Sequence, residues 1–212
     1  MSSSALGDGY KVIILLIALY VACELIANVT AAKLVAIGSI QVPAGVFIFA
    51  LSLTLIDLIN ERLGKQRARQ VVYAAFAASF LLAIYSQFAI ALPPASFYQG
   101  QEAFAGVLGS TWRIVIASLI AYLVASLIDV EVFAWWRQRF GRYRWARVLT
   151  SNTISTLVDS LLFITIAFAG VYPLLPLIAG QYAVKMGITV LSIPLIYLIR
   201  ARPVRMEPER LV

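Results

Sequence analysis

The feature that most constrains this chain is a series of six apolar stretches, at residues 10–35, 43–60, 70–92, 112–136, 148–170 and 174–199. A helix needs about 20 apolar residues to cross the hydrocarbon core of a bilayer. Five of the stretches meet that length and the second is short. Lipid offers no hydrogen bonds, so a spanning segment must satisfy its own backbone, which a helix does. Composition agrees. Apolar residues make up 62% of the chain, charged residues 13%, and the mean hydropathy is +0.90. A soluble domain is nearer half apolar and a quarter charged. The expected fold is an all-α integral membrane protein, one six-helix domain over residues 1–212. Gly38 and Pro43, Pro93 and Pro94, Gly141, and Gly170 with Pro173 fall between the stretches or at their ends. Pro194 lies inside the sixth and predicts a kink. The longest connection, residues 93–111, has room for a short interfacial helix.

Orientation follows from the basic residues. Arg62, Lys65, Arg67 and Arg69 follow helix 2. Arg137, Arg139, Arg142, Arg144 and Arg147 follow helix 4. Arg200, Arg202, Arg205 and Arg210 follow helix 6. In a six-helix chain all three clusters fall on one side, and the opposite loops hold no Lys or Arg. The positive-inside rule then places both termini in the cytoplasm, with the chain in the cell's inner membrane. The net charge of +7 is a topology signal, with anionic lipid headgroups as a further partner, and not a sign of direct nucleic-acid binding. Trp135, Trp136 and Trp145 at one interface and Trp112 at the other read as belt anchors.

The chain has no His and a single Cys, Cys23. That excludes His-based triads, His-ligated zinc and an internal disulfide. Asn28-Val29-Thr30 fits a glycosylation acceptor but lies within a span, and the apolar run continues past Cys23, so the first helix reads as uncleaved. The segments around residues 55–69 and 127–147 echo each other, as a duplicated hairpin or as chance similarity of basic loops.

Ionisable groups inside a span cost at least ~2.5–3.5 kcal/mol on insertion scales, so they are functional candidates by default. Glu24, Asp159 and Lys185 fall near mid-depth. Asp129 falls in the cytoplasmic half and Asp57 near the cytoplasmic surface. Lys33 and Arg113 sit near the outer ends, where they can snorkel. The polar residues share helix faces: Glu24 with Asn28; Asn152, Ser155, Thr156 and Asp159; Gln181 with Lys185; Ser118, Tyr122 and Asp129. Four polar stripes in lipid must face one another or water, which predicts a central polar cavity. The plain alternative is interhelical glue, for example an Asp159–Lys185 pair. Ala117, Ala121 and Ala125 form a small-residue row that reads as helix packing. Asp57 and Glu61, one turn apart, suit a gate against the basic loops.

Several segments in order carry a resemblance: Asn28 and Lys33 in helix 1; Asp57-Leu58-Ile59-Asn60-Glu61-Arg62-Leu63-Gly64-Lys65 at the end of helix 2; Arg113-Ile114-Val115-Ile116-Ala117-Ser118; and Ser151-Asn152-Thr153-Ile154-Ser155 through Asp159-Ser160-Leu161-Leu162-Phe163. Over roughly residues 20–200 the chain resembles the VUT family of queuosine-precursor transporters. Many members carry Gln just before the helix 5 Asp region, where this chain has Thr156-Leu157-Val158. The resemblance implies a six-helix inner-membrane carrier that imports a deazapurine base such as 7-cyano- or 7-aminomethyl-7-deazaguanine for tRNA modification salvage. The residues suit such a ligand. A carboxylate accepts an adjacent ring N–H and amine as a pair, with Glu24 and Asp159 the candidates. Asn28, Asn152, Ser155, Gln181 and Lys185 complete the candidate substrate site, and Tyr20, Phe163 and Tyr182 offer walls for a flat ring. Asp57, Glu61 and Asp129 are candidates for gating or proton coupling. Facilitated diffusion is equally consistent, and a homo-oligomer or coupling partner is left open.

The main rival is a substrate-binding subunit of an energy-coupling importer, with Ala18 and Ala22 available for docking. The chain has no P-loop of its own. An intramembrane enzyme is disfavoured: there is no G-x-S-x-G, no H-E-x-x-H, and no cluster of metal ligands or cofactor motif. A channel fits less well, since the polar residues are few and diverse.

Overall fold

The computed structural model describes residues 3–139 and 144–198; within its helices, the side chains of residues 3–10, 50, 57, 61, 65, 129–139, 144–152 and 192–198 lie outside the described set. The elements run α1 (Ser3–Thr30), β1 (Leu34–Ile37), β2 (Ile40–Pro43), α2 (Gly45–Leu63), α3 (Lys65–Ala91), α4 (Gln101–Leu108), α5 (Thr111–Arg139), α6 (Arg144–Phe168) and α7 (Leu174–Leu198). Six long helices thus lie close to the six apolar stretches. Among the described residues, four segments are long and apolar enough to cross a membrane: Lys11–Thr30, Gln66–Ala91, Gln101–Ile128 and Leu174–Leu191. Gly45–Asn60 and Thr153–Phe168 are shorter apolar helices. The chain is a multi-pass, mainly helical membrane protein.

Packing follows the logic of lipid as solvent. On α3 the buried positions are Ala68, Val71, Val72, Ala75, Ser79, Ala83 and Ser86, nearly all small. The exposed positions of the same helix include Tyr73, Phe80, Leu81, Ile84, Tyr85 and Phe88. Small residues let helices approach where no hydrophobic force drives them together, and large apolar side chains face the tails. Ala117, Ala121 and Ala125 of α5 are likewise buried, and α5 packs most extensively on α6.

Three boundaries differ from the sequence reading. The first stretch does not stay helical to residue 35: α1 ends at Thr30, and residues 34–43 form an antiparallel hairpin pairing Leu34 with Pro43 and Ile37 with Ile40. Gly38 and Ser39 make the two-residue turn, with Gly38 at φ +60°, as a type II′ turn requires at its first position. Val35, Ile37, Ile40 and Val42 favour extended backbone. Next, the basic loop expected over residues 61–69 is mostly helix. Only Gly64, at φ +81°, separates α2 from α3, because Lys, Gln and Arg are good helix formers. Finally, α5 and α6 extend through much of the second basic cluster. The short helix expected within residues 93–111 is α4. It is tied to α3 by Gln101 Nε2 donating to the Ile90 carbonyl (2.9 Å) and Gln87 Nε2 donating to the Gly109 carbonyl (3.2 Å).

The hairpin does not stand clear of the bundle. Val42 and Pro43 are fully buried, and β2 lies against α7. Two glycines permit this. A Cβ on Gly180 of α7 would lie 2.1 Å from the Gln41 carbonyl oxygen, and one on Gly45 would lie 2.3 Å from that of Ala27. Gly180→Ala therefore overpacks the hairpin base and costs about 1–3 kcal/mol. Gly187→Ala, on the same helix with open space around the new methyl, gains about 0.5–1 kcal/mol. Thermal unfolding of the detergent-solubilised variants checks both signs.

Candidate functional site

Helices α1, α2, α3, α5, α6 and α7 and the hairpin base surround one cavity. It holds about 870 Å³ of empty space, its open mouth included. An apolar cluster of helix ends adjoins it: Ala31 just past α1, Ile114 of α5, Phe168 of α6 and Leu177 of α7, of which Ala31 and Ile114 also line the cavity. Tyr20, Leu55, Ile59 and Val72 form a second cluster. Pro43 and Gly45, at the hairpin base, also line the cavity.

The polar lining is short and specific. Glu24 and Asn28 come from α1, Ser52 from α2, Ser118 and Tyr122 from α5, Asp159 from α6, and Gln181 and Lys185 from α7. The spacing Glu24/Asn28 and Gln181/Lys185 puts each pair on one helix face. Lys185 Nζ donates to Asp159 Oδ2, and the same ammonium stands 4.4 Å from the centroid of the Phe49 ring, a cation–π contact. Glu24 is 8% exposed and lies within electrostatic reach of both members of the pair. Ser52 donates to the Phe49 carbonyl (2.9 Å) and stands within hydrogen-bonding reach of the Glu24 carboxyl. Asn28 Nδ2 donates to Ser79 Oγ at 3.0 Å. One amide proton and the carbonyl oxygen of Asn28 remain for the cavity. Gln181 is 2% exposed and lines the cavity. Tyr20, Phe49, Phe76 and Phe163 supply aromatic walls, and Phe76 meets Tyr122 edge to face, centroids 5.0 Å apart.

Of the residues singled out from sequence, Glu24, Asn28, Asp159, Gln181 and Lys185 share this cavity, with Tyr20 and Phe163 as walls. Ser155 and Tyr182, both half-buried, do not line it. The side chains of Asn152, Asp57, Glu61 and Asp129 lie outside the described set. Ser52, Ser79, Phe49 and Phe76 were not singled out. Ser52, one of two hydroxyls with Thr54 in the apolar run of α2, and Ser79 within the small-residue face of α3, were the available signals. Arg113 does not snorkel. Its Nε donates to the Ile166 carbonyl (2.6 Å) and its Nη2 to the Ala169 carbonyl (2.7 Å). The last carbonyls of α6 lack helical partners, and the guanidinium fork satisfies two carbonyls at that end.

A bundle of apolar helices around an inner polar cavity is the build of a small-molecule membrane transporter. The chain belongs to the family described as "Putative vitamin uptake transporter", which matches residues 43–199. It is 28% identical over 176 residues to a "Probable queuosine precursor transporter" of Bacillus subtilis, covering 81% of this chain and 77% of that protein. It is 33% identical over 112 residues to a protein of the same description from Haemophilus influenzae, covering 53% of this chain and 46% of that protein. No solved structure matches. The family match begins at Pro43, so the α1 side of the cavity, with Glu24 and Asn28, lies before it.

Lys185→Gln leaves the Asp159 carboxylate without its cation. Removing one partner of a buried pair is strongly destabilising, here about 2–3 kcal/mol because the cavity is partly open. The double change Lys185→Gln/Asp159→Asn restores most of that loss. Unfolding of the single and double variants in detergent gives the coupling.

Proposed function

We propose that this chain is a six-span carrier of the inner membrane, with both termini cytoplasmic, that imports a queuosine precursor of the 7-deazaguanine class. The observation that carries the reading is the cavity itself. It is lined by a buried carboxylate, Glu24, a buried amide, Gln181, and several aromatic side chains. A deazaguanine needs an acceptor for its adjacent ring N–H and amine, a donor for its carbonyl, and a flat apolar slot. The names of the two relatives support the substrate class.

The charge pattern supports the orientation. Lys65, Arg67 and Arg69 sit in the first turns of α3, and no acid offsets them there. Cations at a helix N-terminus oppose the macrodipole, by about 0.3–1 kcal/mol each at most. Their placement follows instead from topology, since basic residues stay on the cytoplasmic side. The rival reading, a capture subunit for an energy-coupling importer, draws on one observation: Ala18 and Ala22 lie exposed on α1, free for a partner helix.

Proteoliposomes holding this chain alone separate the two. A self-sufficient carrier shows saturable uptake of labelled 7-cyano- or 7-aminomethyl-7-deazaguanine. Binding without uptake makes the chain a capture subunit. With Glu24→Gln the acceptor becomes half donor, and losing a bidentate pair worth roughly 1–3 kcal/mol weakens affinity about ten- to a hundredfold. Normal binding by that variant would remove Glu24 from the site.

A further inference from the structure

Where the hairpin meets α7, three residues on each side lead from the exposed surface to the cavity. Along β2, Gln41 is exposed, Val42 is 0% exposed and Pro43 lines the cavity. Along α7, Ala179 is exposed, Gly180 is buried and Gln181 lines the cavity. Val42 and Gly180, the middle member of each series, touch. A Cβ on Gly180 would lie 3.0 Å from Val42 Cγ1, besides meeting the Gln41 carbonyl. They form a seam between the cavity and the surface on which Gln41 and Ala179 lie.

The neighbouring joints carry polar ties and this one does not. Two Gln side chains hold α4 to α3, and Arg113 holds the start of α5 to the end of α6. The hairpin is rooted on the α1–α2 pair: the Ala44 N–H donates to the Lys33 carbonyl (2.8 Å), and Gly45 packs on the Ala27 carbonyl. Between the hairpin and α7, no hydrogen bond or ion pair forms among the described residues. Leu34 of β1 rests against the apolar cluster that includes Phe168 and Leu177. Parting the seam therefore breaks no polar contact and lets water reach the Gln41 carbonyl. It also withdraws no side chain of Gly180 from a groove, since glycine has none. Carriers open by moving one packed body against another around a fixed site. The hairpin belongs to the α1–α2 body, and the seam is where that body meets α7.

Resting on the carrier reading above and its orientation, we propose that the seam between β2 and α7 is the outer gate of the cavity. The hairpin moves away from α7 with the α1–α2 pair, which opens a path from the outer side. Val42 closing on Gly180 seals it again. Gly180 is then a closing surface as well as an allowance for packing.

The test uses the full chain in cells, with the single Cys removed as Cys23→Ala and one new thiol introduced at a time. The probe is a membrane-impermeant maleimide added outside, and uptake of labelled 7-cyano-7-deazaguanine is followed in parallel. Ile37→Cys, near the hairpin tip and 59% exposed, should react freely. Val42→Cys should react to completion but roughly tenfold more slowly, because reagent reaches it only while the gate is open. Thr111→Cys, also 0% exposed and at the start of α5, should stay unlabelled over that time. It separates parting of the seam from loosening of the whole bundle. Adding Gly180→Ala, whose methyl wedges the seam, should speed the reaction of Val42→Cys about fivefold and leave Thr111→Cys unlabelled. The adduct at Val42→Cys should abolish uptake. If Val42→Cys reacts no faster than Thr111→Cys while uptake proceeds, the gate is overturned and the carrier reading stands. Reaction of Val42→Cys as fast as Ile37→Cys overturns it equally, since the seam would not be closed. Labelling of Ile37→Cys only from the cytoplasm would overturn the orientation and the outer gate together. If Gly180→Ala does not reach the membrane, the three thiol rates decide without it. Absence of uptake by the wild type would overturn the carrier reading, and the thiol rates, which need no substrate, still decide whether the seam opens.

Discussion

A polar side chain in a lipid-facing helix has no water to turn to, so it must find its partner inside the bundle. The arrangement of this chain follows from that requirement. Glu24, Asn28, Asp159, Gln181 and Lys185 turn inward and meet in one place, while Phe80, Leu81, Tyr85 and Phe88 turn outward. Small residues on α3 and α5 bring the helices close enough for the polar groups to touch. Asn28 reaches Ser79 across two helices, and Lys185 reaches Asp159 across two more. The same requirement governs the backbone. The hairpin at residues 34–43 would be a liability in hydrocarbon, where open sheet edges go unsatisfied. Here β2 is folded into the bundle against α7, and Gly180 yields the space.

The hairpin also links fold to site. Its base, at Pro43, leads directly into Gly45 and Val46, and all three line the cavity. Gly180 touches β2, and the next residue, Gln181, lines the cavity. Hairpin placement and Gln181 placement are thus set by one contact. On the far side of the same end, Arg113 ties the start of α5 to the last carbonyls of α6. That clamp fixes the helix that delivers Asp159, about two turns earlier, and Phe163, one turn earlier.

The long apolar helices and the inward faces Glu24/Asn28 and Gln181/Lys185 were legible in sequence, the first as long apolar runs and the second as polar residues recurring at helical spacing. The Asp159–Lys185 contact was legible as a pair of opposite charges at matched depth. The hairpin was not read. Val35, Ile37, Ile40 and Val42 flank a Gly-Ser turn, which is a hairpin signal, but in an already apolar chain the alternation disappears into the background. Arg113 was misread because a basic residue at a span end has two outlets, solvent and a helix C-terminus, and only tertiary structure shows which carbonyls lie within reach. Ser52 carries no periodic pattern, and Ser79 shows only as one more small residue on the buried face of α3. Their significance comes from what they face.

The ion pair bears on whether the cavity is functional or only structural. A buried pair rarely stabilises a protein more than apolar residues of the same volume would. Helices α6 and α7 are already held by Ile164, Phe168 and Leu177 in a shared apolar cluster, so the pair is not needed to join them. It sits away from that cluster, on the cavity wall, with an aromatic ring over its ammonium. Its place on the cavity wall is therefore not explained by the packing of α6 on α7 alone. The uncompensated Glu24 follows the same reasoning. A buried carboxylate without its own cation is costly unless hydrogen-bond donors reach it.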